Sequence, residues 1–197
     1  MASTLILAST SRYRAELLAR LGLAFDAVAP EVDETPLPGE PPRLRAVRLA
    51  AAKASAVARR HPGRWVIGSD QVADLAGEIL DKPGDAGRCR AQLAAQSGRA
   101  VEFHTAVILM REEPRRAFEH VDRTVVRFRH LTTEEIARYV ERDRPFDCAG
   151  GFRSEGLGAV LFESVQTNDP SALVGLPLIW LAGALRSAGL DPLAPQA

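Results

Sequence analysis

Lysine is nearly missing from this chain: among 25 basic residues only Lys53 and Lys82 are lysines, and the rest are arginines. Where arginine supplies almost all positive charge, two retained lysines suggest places that need a compact ammonium and not a planar fork. Cysteine is equally scarce. Cys89 falls in a helical pattern and Cys148 in DCAGG, and two cysteines without CxxC spacing speak against a zinc site and a disulfide framework and for reduced thiols. His61, His104, His120 and His130 are scattered, which disfavours a histidine-rich metal cage. Aromatics are only 6% of the chain and the formal charge is zero, so nucleic acid is not an expected partner and any phosphate site must be local. No apolar run reaches the roughly 20 residues that span a bilayer. The chain opens on a strand pattern and not on a signal-type core, so the expectation is a cytoplasmic protein without a membrane partner.

What is present follows an α/β pattern. Leu5, Ile6 and Leu7 form a buried-type strand, and Leu17, Leu18 and Leu21 fall on one helical face, so ASTSRYRAE (8–16) bridges a strand and a helix. Such a junction turns unpaired N–H groups and the positive end of the helix dipole outward, and the arginines beside it strengthen the attraction for an anion. The plainer alternative is that Ser9 or Ser11 only caps the helix. FDAVA (25–29) reads as a short strand, and PEVDETPLPGEPP (30–42) as an acidic loop that is either a solvated connection or a functional rim. A helix over about 42–61 carries Lys53 in its second half. WVIGSD (65–70) is a strand closed by Asp70, and VADLAGEILDKPG (72–84) a hairpin turning at Ala76 and Gly77.

A helix near 85–97, two long strands around EEPRR (112–116) and a helix from Thr133 to Asp143 capped by Thr132 come next. The glycine-rich FDCAGGFRSEGLG (146–158), a strand near 159–165 and a closing helix near 176–188 complete the chain. The pattern predicts a mixed, twisted sheet with flanking helices. With no repeat or linker composition, residues 1–197 read as one domain, with two lobes around a cleft.

The standard nucleotide and hydrolase signatures are absent: there is no GxxxxGK[ST], no GxGxxG between strand and helix, and no GxSxG elbow. What remains is a scattered set of hydroxyls and arginine at the first junction, Lys53, Asp70, Lys82 and the acidic loop. That set suits phosphoryl chemistry, in which cations and helix-end amides hold a polyphosphate and a carboxylate holds a divalent cation or orients water.

LILASTSRYRAELL, the VDE of 32–34, IGSDQV (67–72), LDKP (80–83), AGGFRSEGLG (149–158) and VGLPL (174–178) together resemble the Maf family, from about Leu5 to Leu190. The resemblance implies a fold similar to inosine triphosphatases. It also implies a metal-dependent (Mg2+ or Mn2+) nucleoside triphosphate pyrophosphatase and makes a homodimer plausible. Asp70 would be the general base and a metal ligand, with Glu34 assisting the metal. Ser9, Arg14, Lys53 and Lys82 would grip the phosphates. Arg12 stands where the family usually has proline, a loss expected to loosen the junction without removing a functional group. GSDQV and AGGFRSEGLG look like the branch associated with 7-methyl-GTP, making Tyr13, Gln71 and Glu155 the specificity candidates. Two rivals remain: a dTTP/UTP pyrophosphatase and a non-catalytic nucleotide-binding regulator of cell division.

Overall fold

A computed structural model describes residues 4–194. The apolar triplet of β1 (Leu5–Leu7) is wholly buried and lies parallel to β2 (Asp26–Ala27) on one side and to β3 (Trp65–Leu75) on the other. Between these strands run α1 (Arg12–Ala19), which Ser11 caps by accepting from the Arg14 N–H, and α2 (Pro42–Ala58). The chain then turns through Ala76 and Gly77, both at positive φ, into β4 (Glu78–Leu80). Next come α3 (Ala86–Gln96), the long antiparallel pair β5 (Ala100–Arg111) and β6 (Arg116–Phe128), and α4 (Thr133–Asp143), opened by a Thr132–Glu135 capping box. β7 (Phe162–Gln166) and α5 (Leu178–Ser187) finish the fold. The sheet order is β2-β1-β3-β5-β6-β7 with β4 on β3, parallel at the first two pairings and antiparallel elsewhere. This is the mixed α/β sheet that the pattern predicts.

The two lobes share their strands. At one end of β3, Trp65 and Ile67 join Leu5, Leu7, Leu109, Leu181 and Leu185 in an apolar core under α1 and α5. At the other end Ala73 and Leu75 join Phe103, Phe128, Leu93, Val140 and Phe152 under α3 and α4. Phe152 meets both Phe103 and Phe128 edge-on, a favoured aromatic arrangement. Asp70 and Gln71 lie midway between these ends.

Three expectations need correction. Asp70 does not close a strand, because β3 is one run of 11 residues whose ladder with β5 continues through Asp70 opposite Ala106 to Asp74 opposite Glu102. The strand near 159–165 is a 3-10 turn over Leu157–Leu161 followed by β7, since Gly158 donates back to the Arg153 carbonyl and curls the chain before it can pair. The helix over 42–61 ends at Ala58, ahead of the His61-Pro62 break.

Successive residues of a strand point to opposite faces. Gly68 and Asp70 therefore face α2, while Ser69 and Gln71 bond to the turn Pro170–Val174 and to Gly175 beside it. A Cβ built on Gly68 would lie 2.7 Å from both the N and the Cβ of Ala54. Gly68 and the alanines Ala46, Ala50 and Ala54, all buried, thus let α2 settle onto the strand backbone. Gly68→Ala should cost about 1–3 kcal/mol, the usual range for overpacking, read from urea unfolding. A parent-like midpoint would show that the approach is slack.

Candidate active site

Close seating of α2 delivers Lys53 to the middle of β3. Its Nζ lies 2.6 Å from Asp70 Oδ1 and 3.0 Å from Glu34 Oε1. Lys53 and Asp70 are 6% and 7% exposed, so each is the other's charge compensation in a place largely shut from water. Glu34 reaches in from the acidic loop, which settles that loop as a rim of the cleft.

The cleft has a volume of about 590 Å³ and brings Ser9, Arg14, Glu34, Lys53, Asp70 and Lys82 to one wall system, with Tyr13 and Gln71 at its side. Ser9 is buried and its Oγ accepts from the Ser11 N–H at 3.1 Å, while Ser11 caps α1, so the capping alternative holds for Ser11 and both hydroxyls still line the cleft. Arg14 Nε donates to the Gly175 carbonyl at 3.0 Å. Burial pushes its guanidinium below the ordinary value, opposed by the nearby Asp70 and Glu34 carboxylates. Lys82, after β4, stands exposed at the mouth.

A smaller cavity of about 100 Å³ adjoins the first; Tyr13, Arg14, Gln71, Lys82 and Asp147 line both, and Glu155 lines only the smaller. The Tyr13 hydroxyl accepts from Arg12 Nη2 at 2.8 Å and donates to Asp147 Oδ2 at 3.5 Å. Arg12 also holds its guanidinium 4.7 Å from the Tyr13 ring centroid. The junction expected to be loose without proline is therefore capped by Ser11 and braced by Arg12. Gln71 lines both cavities and also has a structural part. Its amide NH2 donates to Thr105 Oγ1, Ala172 O and Leu173 O at 2.9–3.1 Å, tying down the turn Pro170–Val174. Cys148 lies here too, and burial beside Asp147 pushes its thiol up to about 12, away from the thiolate form.

The comparisons with known proteins bear on this site. The family model described as "Maf-like protein" matches residues 4–188. This chain belongs to the Maf family. A protein of Xanthomonas oryzae pv. oryzae named 7-methyl-GTP pyrophosphatase is 57% identical over 189 residues, covering 96% of this chain and 98% of that protein. A protein of the same name from Bordetella pertussis is 52% identical, covering 96% and 94%. Among solved structures, the Staphylococcus aureus Ham1 protein aligns with a TM-score of 0.47 at 14% identity, covering 78% of this chain and 88% of that one.

Among the described residues no three His, Cys, Asp or Glu side chains gather to hold an ion alone. Asp70 and Glu34 nevertheless both reach the Lys53 ammonium, which makes them the two carboxylates that could serve a cation there. A hard ion bound through one or two carboxylates and completed by phosphate oxygens and water fits that donor set.

Sequence reasoning missed Arg45, Asp81, Asp147 and Arg153, all of which line one cavity or the other. Arg45 was findable, since Arg45, Leu49 and Lys53 recur every four residues and so share a helix face; it pairs with Asp81 at 3.0 Å. Lys53→Met should leave Asp70 without its counter-charge. Breaking a buried pair costs about 3–5 kcal/mol, and because this one borders an open cleft we expect about 3. Adding Asp70→Asn should restore part of the loss. Urea unfolding of the parent and the two variants checks this, and equal stability of Lys53→Met and the parent would refute it.

Proposed function

We propose that this Maf-family chain is a nucleoside triphosphate pyrophosphatase that converts 7-methyl-GTP to 7-methyl-GMP and pyrophosphate. The observation that carries the reading is a pair of adjoining cavities, the larger holding the Lys53–Asp70–Glu34 cluster and the smaller Glu155, with Tyr13, Arg14, Lys82 and Asp147 lining both. The relatives named 7-methyl-GTP pyrophosphatase support the same substrate. We place the reaction in the cytoplasm, where the two free thiols stay reduced.

In this reading the triphosphate lies along the N-terminus of α1, where helix-end N–H groups, Ser9, Arg14 and Lys82 hold its oxygens. Lys53 moves from pairing with carboxylates alone to sharing a phosphate oxygen, which frees Asp70 to act. Asp70 takes a proton from the water that attacks the α-phosphorus, and the bond from that phosphorus to the bridging oxygen breaks to release pyrophosphate. Asp70 and Glu34 would hold a divalent cation, Mg2+ or Mn2+, which would supply charge neutralisation at the phosphates. Asp70→Asn keeps the size of the side chain and removes its basicity, so kcat should fall about a hundredfold or more. Near-parent activity in that variant would remove Asp70 from this role. Chelation should abolish turnover, and Mg2+ or Mn2+ should restore it.

For the base, methylation at N7 puts a positive charge on guanine. The Tyr13 ring already seats a cation, Arg12, and such contacts are worth about 0.5–2 kcal/mol. The Glu155 carboxylate can accept from the base's N1 and N2 donors at roughly 1.5–3 kcal/mol. Together these favour the methylated base over pyrimidines by about one to three orders of magnitude at 1.4 kcal/mol per tenfold, and the ring contact alone favours it over plain guanine by about two- to thirtyfold. The test is kcat/KM for 7-methyl-GTP, GTP, UTP and dTTP. Glu155→Gln should weaken discrimination against pyrimidines, and Tyr13→Ala should erode the preference for the methylated base. A parent preferring UTP or dTTP would make it a pyrimidine enzyme, and tight binding without pyrophosphate release would make it a regulator.

A further inference from the structure

The loop that carries Glu155 is built around a buried charge. Asp143, the last residue of α4, is 7% exposed, and its carboxylate is ion-paired with the Arg153 guanidinium. Asp143 Oδ2 also accepts from the Tyr139 hydroxyl at 2.8 Å, and that hydroxyl accepts from the Arg153 N–H at 3.1 Å. Arg153 Nη2 further donates to the Asp143 carbonyl at 3.2 Å. Backbone and side chain of Arg153 are thus both held by one turn of α4.

The loop then closes over this pair. Gly156 and Gly158 donate to the Arg153 carbonyl at 3.2 and 3.0 Å. A Cβ at Gly156 would come within 2.9 Å of both Arg153 Nε and Asp143 Oδ1, so any other residue there would have to push the pair aside. Glu155 sits between these anchors, exposed, its Oε2 accepting from its neighbour Ser154 at 3.0 Å. Nothing in that bond reaches the rest of the fold, so the carboxylate's place is set by the two clasped residues that flank it. Arg153 and Glu155 both line the cavity assigned above to the base, as does Tyr13, whereas Tyr139 and Asp143 do not.

We propose that Asp143 is a positioning residue for base recognition: through the Arg153 guanidinium it holds the 153–158 loop so that Glu155 meets the base. The proposal deepens the reading of the base cavity and rests on it. Asp143 has a second effect there. It cancels the positive charge of Arg153 close to where a cationic base would lie, so losing the carboxylate both loosens the loop and exposes a repelling charge.

The experiment compares the parent, Asp143→Asn, Glu155→Gln and the double variant for kcat and KM on 7-methyl-GTP and UTP, with trypsin cleavage after Arg153 followed in parallel. Asp143→Asn should raise KM for 7-methyl-GTP roughly tenfold and lower its advantage over UTP by a similar factor. Its kcat should stay within about threefold, because the phosphate end is untouched. Since both residues act through one contact, the double variant should lose little more discrimination than Glu155→Gln alone. Trypsin should cut after Arg153 faster in Asp143→Asn. Parent-like discrimination in a folded Asp143→Asn, or fully additive losses in the double variant, would overturn the proposal. Should Asp143→Asn not fold, Tyr139→Phe removes one hydroxyl from the same clasp, and a measurable loss of discrimination supports the proposal while parent-like discrimination overturns it. A parent that fails to prefer 7-methyl-GTP overturns the substrate reading instead, and the trypsin comparison still decides whether Asp143 holds the loop.

Discussion

The contact of Lys53 with Asp70 is the constraint around which the rest of the cleft is arranged. Two charges taken out of water cost several kcal/mol each, and their attraction repays this only when the geometry is close. Closeness here is a packing property. α2 can bring Lys53 to 2.6 Å from the strand's carboxylate because Gly68 offers no side chain and Ala50 and Ala54 offer the smallest. Leucine or valine at these positions would bury more apolar area and hold the helix farther off. The small residues give up some core in exchange for a paired charge at the centre of the sheet, an exchange that makes sense only where the charge is used.

The second constraint is that β3 belongs to both lobes. Its ends are fixed in separate apolar cores, so the residues between them sit on a backbone clamped from two directions. The alternation of the strand then divides the work. Asp70 turns to α2 and the phosphate end, whereas Ser69 and Gln71 turn to residues 170–175 and hold that segment. Gly175 in turn accepts from Arg14, so the first helix and the last third of the chain are tied through the same strand.

How much of this was legible followed the range of the interactions. The strand-to-helix junction, the hairpin at Ala76 and Gly77 and the Thr132 cap depend on neighbours a few residues apart, and each was readable. Lys53 and Lys82 stood out by composition and Asp70 by motif, and the fold gathers all three in one cleft. The end of β3 was misread because what prolongs it is a partner strand, with Ala106 facing Asp70 across 36 positions of sequence. The part Gln71 plays in holding the turn at 170–174 was not readable, because its amide partners, Ala172 and Leu173, are about a hundred residues away. Asp143 gave no signal, since an acid at a helix end is ordinary and only the folded loop reveals its burial.

Zero net charge, read from the sequence as the absence of a polyanion surface, has a different meaning in the folded cleft. Charged groups are distributed along its length. Lys53, with Asp70 and Glu34, lines only the larger cavity and Glu155 only the smaller, where Asp143 pairs with the nearby cation Arg153, while Arg14, Lys82 and Asp147 stand between the two. In the proposed reading the substrate has a polyanionic tail and a cationic base. Matching one end alone would accept any triphosphate, because every nucleotide carries that tail. Discrimination must come from the base end, where a carboxylate is favourable toward a cationic ring and cations left unpaired would be adverse. That is why neutralising Arg153 matters as much as placing Glu155: specificity depends on the charge that is cancelled as well as on the charge that is offered.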